Sequence, residues 1–237
     1  MEQSQKKNLF SVVIVCVLAF AICYGRGWVN ENLLHNLSFA PRLAAIYASW
    51  WITLIPILLL MRRDKEKPRD IGFTKANIPQ QVLVGVIIGI VTSVSLSGIV
   101  TLFGQRESLF GFTVGNIPGA WTLLNDFLLT VITVALVEEI LFRGYLFKKL
   151  IDINNSRWLA IIGTSVLFGF FHIFNGGIQF IFMPIMMGLI YCLCKDKIKH
   201  CSLLALIIAH ALHNTLNGSV LFAIIDKIFY IYHIKPN

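Results

Sequence analysis

Three polar patterns sit inside apolar sequence: Glu138-Glu139-x-x-x-Arg143, Phe168-x-x-x-His172 and His210-x-x-x-Asn214. An ionisable side chain in hydrocarbon costs about 2.5–3.5 kcal/mol on insertion scales, so three within six residues need a compensating reason. On a helix, Glu139 and Arg143 are i,i+4 neighbours and can pair. Glu138 is turned from Glu139 by about 100°, which frees it to face a cavity as a general base. His172 ends an apolar run, with Phe168 one turn below to wall its imidazole from lipid. His210 and Asn214 share a helical stripe that Asn217 continues, with His213 beside His210. Asn217 reads as polar glue between helices. Together these groups suit amide hydrolysis. Glu138 takes a proton from water, His172 orients that water, and His210 and Asn214 donate to the oxyanion of the tetrahedral intermediate. A zinc version uses Glu138, His172 and His210 as ligands with one position open to water. The H-E-x-x-H zinc motif is absent, since residues 209–214 read A-H-A-L-H-N. No G-x-S-x-G offers a serine nucleophile. The bland alternative for Glu139 and Arg143 is an ion pair that braces a helix bundle.

The elements that must carry these residues are membrane helices. Of 237 residues, 57% are hydrophobic and 14% charged, too apolar for an ordinary soluble domain. Runs near the length needed to span a bilayer lie at Leu9–Tyr24, Leu43–Met61, Val82–Phe103, Asn125–Leu150, Trp158–Phe174, Ile178–Cys194 and Ser202–Leu216. An eighth, Ser219–Tyr232, is short and carries Asp226 and Lys227. The expected fold is all-α: a polytopic membrane protein of seven to eight transmembrane helices around a polar cavity. One membrane domain fills residues 1–237, with a motif-bearing core at about 120–217. Counting inward from the basic ends, Glu138, His172 and His210 reach comparable depths, so the three motifs can converge.

The net charge of +8 follows topology rather than a polyanion partner. Alternate loops hold nearly all the lysines and arginines, among them Lys6, Lys7, Arg62, Arg63, Lys148, Lys149, Arg157 and Lys195. The other set holds only Arg26, Arg42 and Arg106. This asymmetry places the N-terminus in the cytoplasm and gives no reason to invoke nucleic acid. Lys6-Lys7 and the apolar run after it resemble a signal peptide; an uncleaved first helix is the better reading. Arg62–Gln81, the longest polar stretch, is expected to be a cytoplasmic linker. Cys192, Cys194 and Cys201 have no matching second cluster, so packing rather than metal accounts for them.

In this order and on separate apolar helices, E-E-x-x-x-R, F-x-x-x-H and H-x-x-x-N resemble the CAAX-protease and bacteriocin-processing (CPBP, or Abi) family of intramembrane proteases. The resemblance spans Glu138 to Asn214. It implies an eight-helix fold with a cavity open to the cytoplasm. It further implies that Glu138 is catalytic with His172 beside it, that His210 and Asn214 occupy the oxyanion or metal positions, and that Glu139 and Arg143 form the supporting pair. Members have been viewed both as metalloproteases and as metal-independent glutamate proteases, so zinc stays open. A composition rich in Ile, Lys and Asn points to a bacterial cell membrane. There, a peptide precursor or membrane protein is the expected substrate rather than a prenylated one.

Two other classes compete with the peptidase. A non-catalytic bacteriocin self-immunity or scaffold protein of the same family need not keep every polar group. A transporter with a Glu/His proton relay would show repeat symmetry or paired broken helices, which this sequence lacks.

Overall fold

Long apolar runs with few turn residues fold as helices in the computed structural model, which describes residues 2–102, 119–175 and 181–219. The helices are α1 (Gln3–Asn32), α2 (Phe39–Ile52), α3 (Leu54–Arg63), α4 (Ile78–Leu102), α5 (Ala120–Asn154), α6 (Arg157–Phe171), α7 (Phe182–Lys197) and α8 (Leu203–Ser219). No strand occurs among the described residues. α2 and α3 form one span broken at Thr53, because Pro56 lacks the N–H that would continue the ladder. A 3-10 turn, His172–Asn175, prolongs α6. α5 ends at Asn155 in the left-handed conformation (φ 50°), and Ser156 then caps α6 by accepting from Leu159 N–H at 3.2 Å.

Among the described residues, five spans are long and apolar enough to cross a membrane: Gln3–Asn32, Ala40–Arg63, Ile78–Leu96, Ala120–Asn154 and Arg157–Phe174. α7 and α8 have 16 and 17 residues, or roughly 24–26 Å at 1.5 Å per residue, somewhat under the ~30 Å of a hydrocarbon core. The expected eighth span, Ser219–Tyr232, falls beyond the described residues except for Ser219. Large apolar side chains on α1–α5 face outward, including Val17, Leu59, Leu83 and Trp121. In water that surface would drive aggregation; in lipid it is the solvent-facing side.

α5 is not a plain α-helix. Val131–Ala135 and Glu139–Leu146 are π-helical, with Leu136–Glu138 between them. Such segments are rare and concentrate at functional sites.

α8 is the central post, with Leu203, Ala205, Leu206, Ile207, Ala209, His210 and Ala211 all buried. It lies against α4 through small residues. A Cβ on Gly85 would stand 2.5 Å from the Ala205 carbonyl oxygen, and one on Gly89 2.9 Å from that of Ala209. G-x-x-x-G lets the two backbones touch. α6 and α7 approach similarly at Gly188, where a Cβ would meet Ser165 Cα at 2.9 Å.

The basic end is tied by charge. Lys149, almost fully buried, donates to Asp64 (2.9 Å), Glu66 (3.0 Å) and Asn8 (3.3 Å), linking α5 to α1 and to the end of α3. Asp64 also pairs with Lys7 at 2.7 Å. The hydrogen bond from Arg63, helped by Lys7 and Lys149, holds the Asp64 carboxyl below its ordinary range. Arg62–Gln81 is more than a linker. It forms a 3-10 turn at Pro68–Ile71, buries Ile71, and Gly72 accepts from the first N–H of α8, that of Leu203, at 3.1 Å.

Candidate active site

Glu138, Glu139 and Arg143 sit where the π-helical stretch begins, and all three are buried. Arg143 Nη1 donates to Glu139 Oε1 at 3.1 Å, the i,i+4 pair. From α8, His210 Nδ1 reaches the same oxygen at 2.8 Å. A carboxylate held by arginine only accepts, so His210 carries its proton on Nδ1 and turns Nε2 toward Glu138. There it stands 3.7 Å from Glu138 Oε2. That oxygen is buried and has no hydrogen-bond partner among the described residues. The pair thus orients the histidine, and the histidine addresses the second carboxylate.

His172 closes α6. Its Nδ1 lies 2.9 Å from the Phe168 carbonyl oxygen. A carbonyl can only accept, so Nδ1 carries the proton and Nε2 keeps a free lone pair. Phe168 is the hub of the apolar wall, with its ring centroid 4.6 Å from His172 and 6.3 Å from His210. The Arg143 guanidinium carbon lies 4.1 Å from the same centroid, so the buried cation has a π face as well as a carboxylate.

Glu138, Glu139, Arg143, Phe168, His172 and His210 are therefore brought together. Asn214 lies one turn beyond His210 on α8, half-buried, with no hydrogen bond to another described residue. His213 is turned away. Asn217 Nδ2 donates to its Nε2 at 3.0 Å, and Ser93 Oγ of α4 stands 3.5 Å from its Nδ1. Asn217 thus bonds within its own helix and backs the histidine that meets α4.

Tyr191 of α7 was not singled out from sequence, yet its ring lies 6.2 Å from that of His210 and 5.5 Å from the Arg143 guanidinium carbon. Lys195 Nζ donates to the Arg143 carbonyl, one of those that a π-helical turn leaves without an ordinary α-helical partner. Their signal was only a tyrosine and a lysine four residues apart on one face of an apolar helix. The five cysteines are free; Cys192 is packed 3.4 Å from Thr164 Oγ1.

Residues 120–216 match the family model described as type II CAAX prenyl endopeptidase Rce1-like. The motif-bearing segment is similar to the CAAX-protease family. No curated protein and no solved structure matches the chain. The matched segment runs from the start of α5 to the end of the His210 motif and holds every side chain of the polar cluster. The match to a protease family model, with five apolar spans among the described residues, marks this as a membrane protein.

Zinc needs at least three protein ligands around one point. Among the described residues no three His, Cys, Asp or Glu side chains are disposed to hold a metal. Both Nδ1 atoms are committed, one to Glu139 and one to a backbone carbonyl, which leaves Nε2 of each ring as the nitrogen open to a water, a substrate or an ion.

Proposed function

We propose that the protein is an intramembrane endopeptidase that cleaves a peptide precursor or membrane protein. In this reading seven to eight helices span a bacterial cell membrane, with the N-terminus and the basic end in the cytoplasm. The observation that carries it is the buried, unpartnered Oε2 of Glu138, facing His210 Nε2, on a segment matched by a protease family.

The reaction follows from the hydrogen-bond directions. A water donates one hydrogen toward Glu138 and the other toward the lone pair of His172 Nε2. Glu138 takes a proton as the water oxygen attacks the peptide carbonyl carbon, and the carbonyl π electrons move onto oxygen. Asn214 Nδ2 donates to that oxyanion, as does His210 Nε2 when the ring enters the reaction as an imidazolium that has taken a proton from solvent, with Glu139 behind it balancing the charge. When the C–N bond breaks, Glu138 returns its proton to the leaving amine. Glu139 and Arg143 hold the histidine and touch no reacting atom. The seat of each ionisable group in apolar surroundings strengthens every one of these interactions.

Glu138→Gln keeps the shape and removes the base. Purified Glu138→Gln protein is expected to be as well folded as the parent and to leave substrate uncut in a comparison of membrane proteomes. Asn214→Ala is expected to lower turnover by about 10²–10³ with little change in affinity, and a chelator should leave the parent active. Peptidase activity retained by Glu138→Gln would overturn the reading, and loss to chelator with recovery on added Zn²⁺ would overturn its metal-free form.

A further inference from the structure

Arg26 is a half-buried cation for which neither the fold nor the proposed chemistry has yet supplied a use. It lies inside α1, near the end away from Lys6 and Lys7. Arg143 and Lys149 each hold a carboxylate, but among the described residues none stands at ion-pair distance from Arg26. Its one hydrogen bond is a weak one, from Nη2 to Cys23 Sγ at 3.8 Å. The guanidinium carbon lies 3.5 Å from the centroid of the Trp50 ring. Stacking uses the face of the group and leaves the N–H edge for a planar acceptor.

That edge borders a cavity of about 150 Å³ lined by Cys23, Arg26, Gly27, Asn30, Ile46 and Phe174. Asn30 Oδ1 is taken by Arg42 Nε at 3.0 Å, which leaves the Asn30 amide N–H groups as donors. A guanidinium edge and an amide make a donor set for a carboxylate. The cavity adjoins the site. Cys23 Sγ is 3.9 Å from the Phe171 carbonyl oxygen, and the Phe171 ring is 6.1 Å from that of His172. Asn8 and Lys149 mark one level of the bundle. From that level Glu138 lies roughly 16 Å up α5, and Arg26 roughly 27 Å along α1, beyond Glu138.

We propose that Arg26, with Asn30, binds a carboxylate of the substrate and so fixes which peptide bond reaches Glu138. The inference rests on the peptidase reading and adds a substrate class: a peptide whose anionic group sits on the side of Glu138 away from the basic end. The carboxylate is either the chain terminus or an acidic side chain a few residues from the cut.

Binding tests this without turnover. Glu138→Gln protein in detergent is titrated with a short apolar dansyl-peptide in three forms: free C-terminal acid, C-terminal amide, and amide with one internal glutamate. At least one anionic form is expected to bind about tenfold tighter than the neutral amide, a difference of about 1.4 kcal/mol; which one wins names the source of the carboxylate. Arg26→Gln should erase the preference, and Arg26→Lys should keep part of it, because lysine retains the charge without the planar fork. Equal or absent binding of all three forms overturns the inference, even with Arg26 unaltered. So does a preference that survives in Arg26→Gln. Because no form need be cleaved, failure here is separable from failure of the peptidase reading, which Glu138→Gln tests by lost cleavage.

Discussion

Gly85→Ala and Gly89→Ala are expected to destabilise the protein, whereas Gly25→Ala and Gly27→Ala are not. Each change adds one methyl to a helix, and on propensity alone alanine is better than glycine by roughly 0.5–1 kcal/mol. The surroundings reverse the sign at two of the four sites. On α1, a Cβ at Gly25 or Gly27 meets nothing within 4 Å. On α4, a Cβ at Gly85 meets the Ala205 carbonyl oxygen at 2.5 Å, and one at Gly89 meets that of Ala209 at 2.9 Å. Both obstacles are backbone and cannot rotate aside, so α4 and α8 must separate by about half an ångström or more. Overpacking of this kind typically costs about 1–3 kcal/mol, which exceeds the propensity gain. The displacement falls on Ala209, the residue before His210. Peptidase activity should therefore drop more at Gly89→Ala than at Gly85→Ala. Thermal unfolding in a mild detergent, followed by helical circular dichroism, reads the first effect; turnover per folded molecule reads the second. If Gly85→Ala and Gly89→Ala melted with or above the parent, α4 would not touch α8 in this way and the argument would fail.

Two further outcomes follow from the charged groups. Arg143→Ala should cost about 3–5 kcal/mol, because it strands the buried Glu139 carboxylate. Glu139→Gln in the same chain should recover part of that loss in a denaturation series, whereas additive losses would show that the pair is not coupled. Asp64 is held below its ordinary pKa, first by the hydrogen bond from Arg63, so its stabilisation is complete above the unfolded value near 4 and is lost as pH falls through the folded one. The gap in melting temperature between the parent and Asp64→Asn should thus be constant at neutral pH and close below about pH 4; a gap that stays constant down to pH 2 would refute it.

What was legible in the sequence was local. The Glu139–Arg143 pair and the wall that Phe168 gives His172 are one-turn relations, and counting along a helix finds them. The meeting of Glu139 with His210 was readable only as a possibility of depth. What escaped was long-range or broke the count. α8 is buried on nearly every side, so apolarity could not say that His213 turns to Ser93 while His210 turns to Glu139. Arg26 entered the charge tally as a marker of the outer side, and nothing in that tally shows a guanidinium lying on Trp50. Gly85 and Gly89 lie one turn apart on α4, but the helix they touch lies more than a hundred residues later, and the close approach is seen only in the structure.

The two π-helical stretches of α5 also bear on how this chain can change length. A π turn holds one residue more than the α turn it interrupts, so deleting one residue there restores ordinary pairing and rotates whatever lies beyond. At Val131–Ala135 the rotated part would be Ala120–Thr130, which has no buried residue. At Glu139–Leu146 the same deletion would turn the carboxylates against Lys149 and its partners at the basic end. Single-residue gaps among homologous chains should therefore collect at the first stretch and avoid the second, so that a length polymorphism in one helix marks which half of it is free to drift.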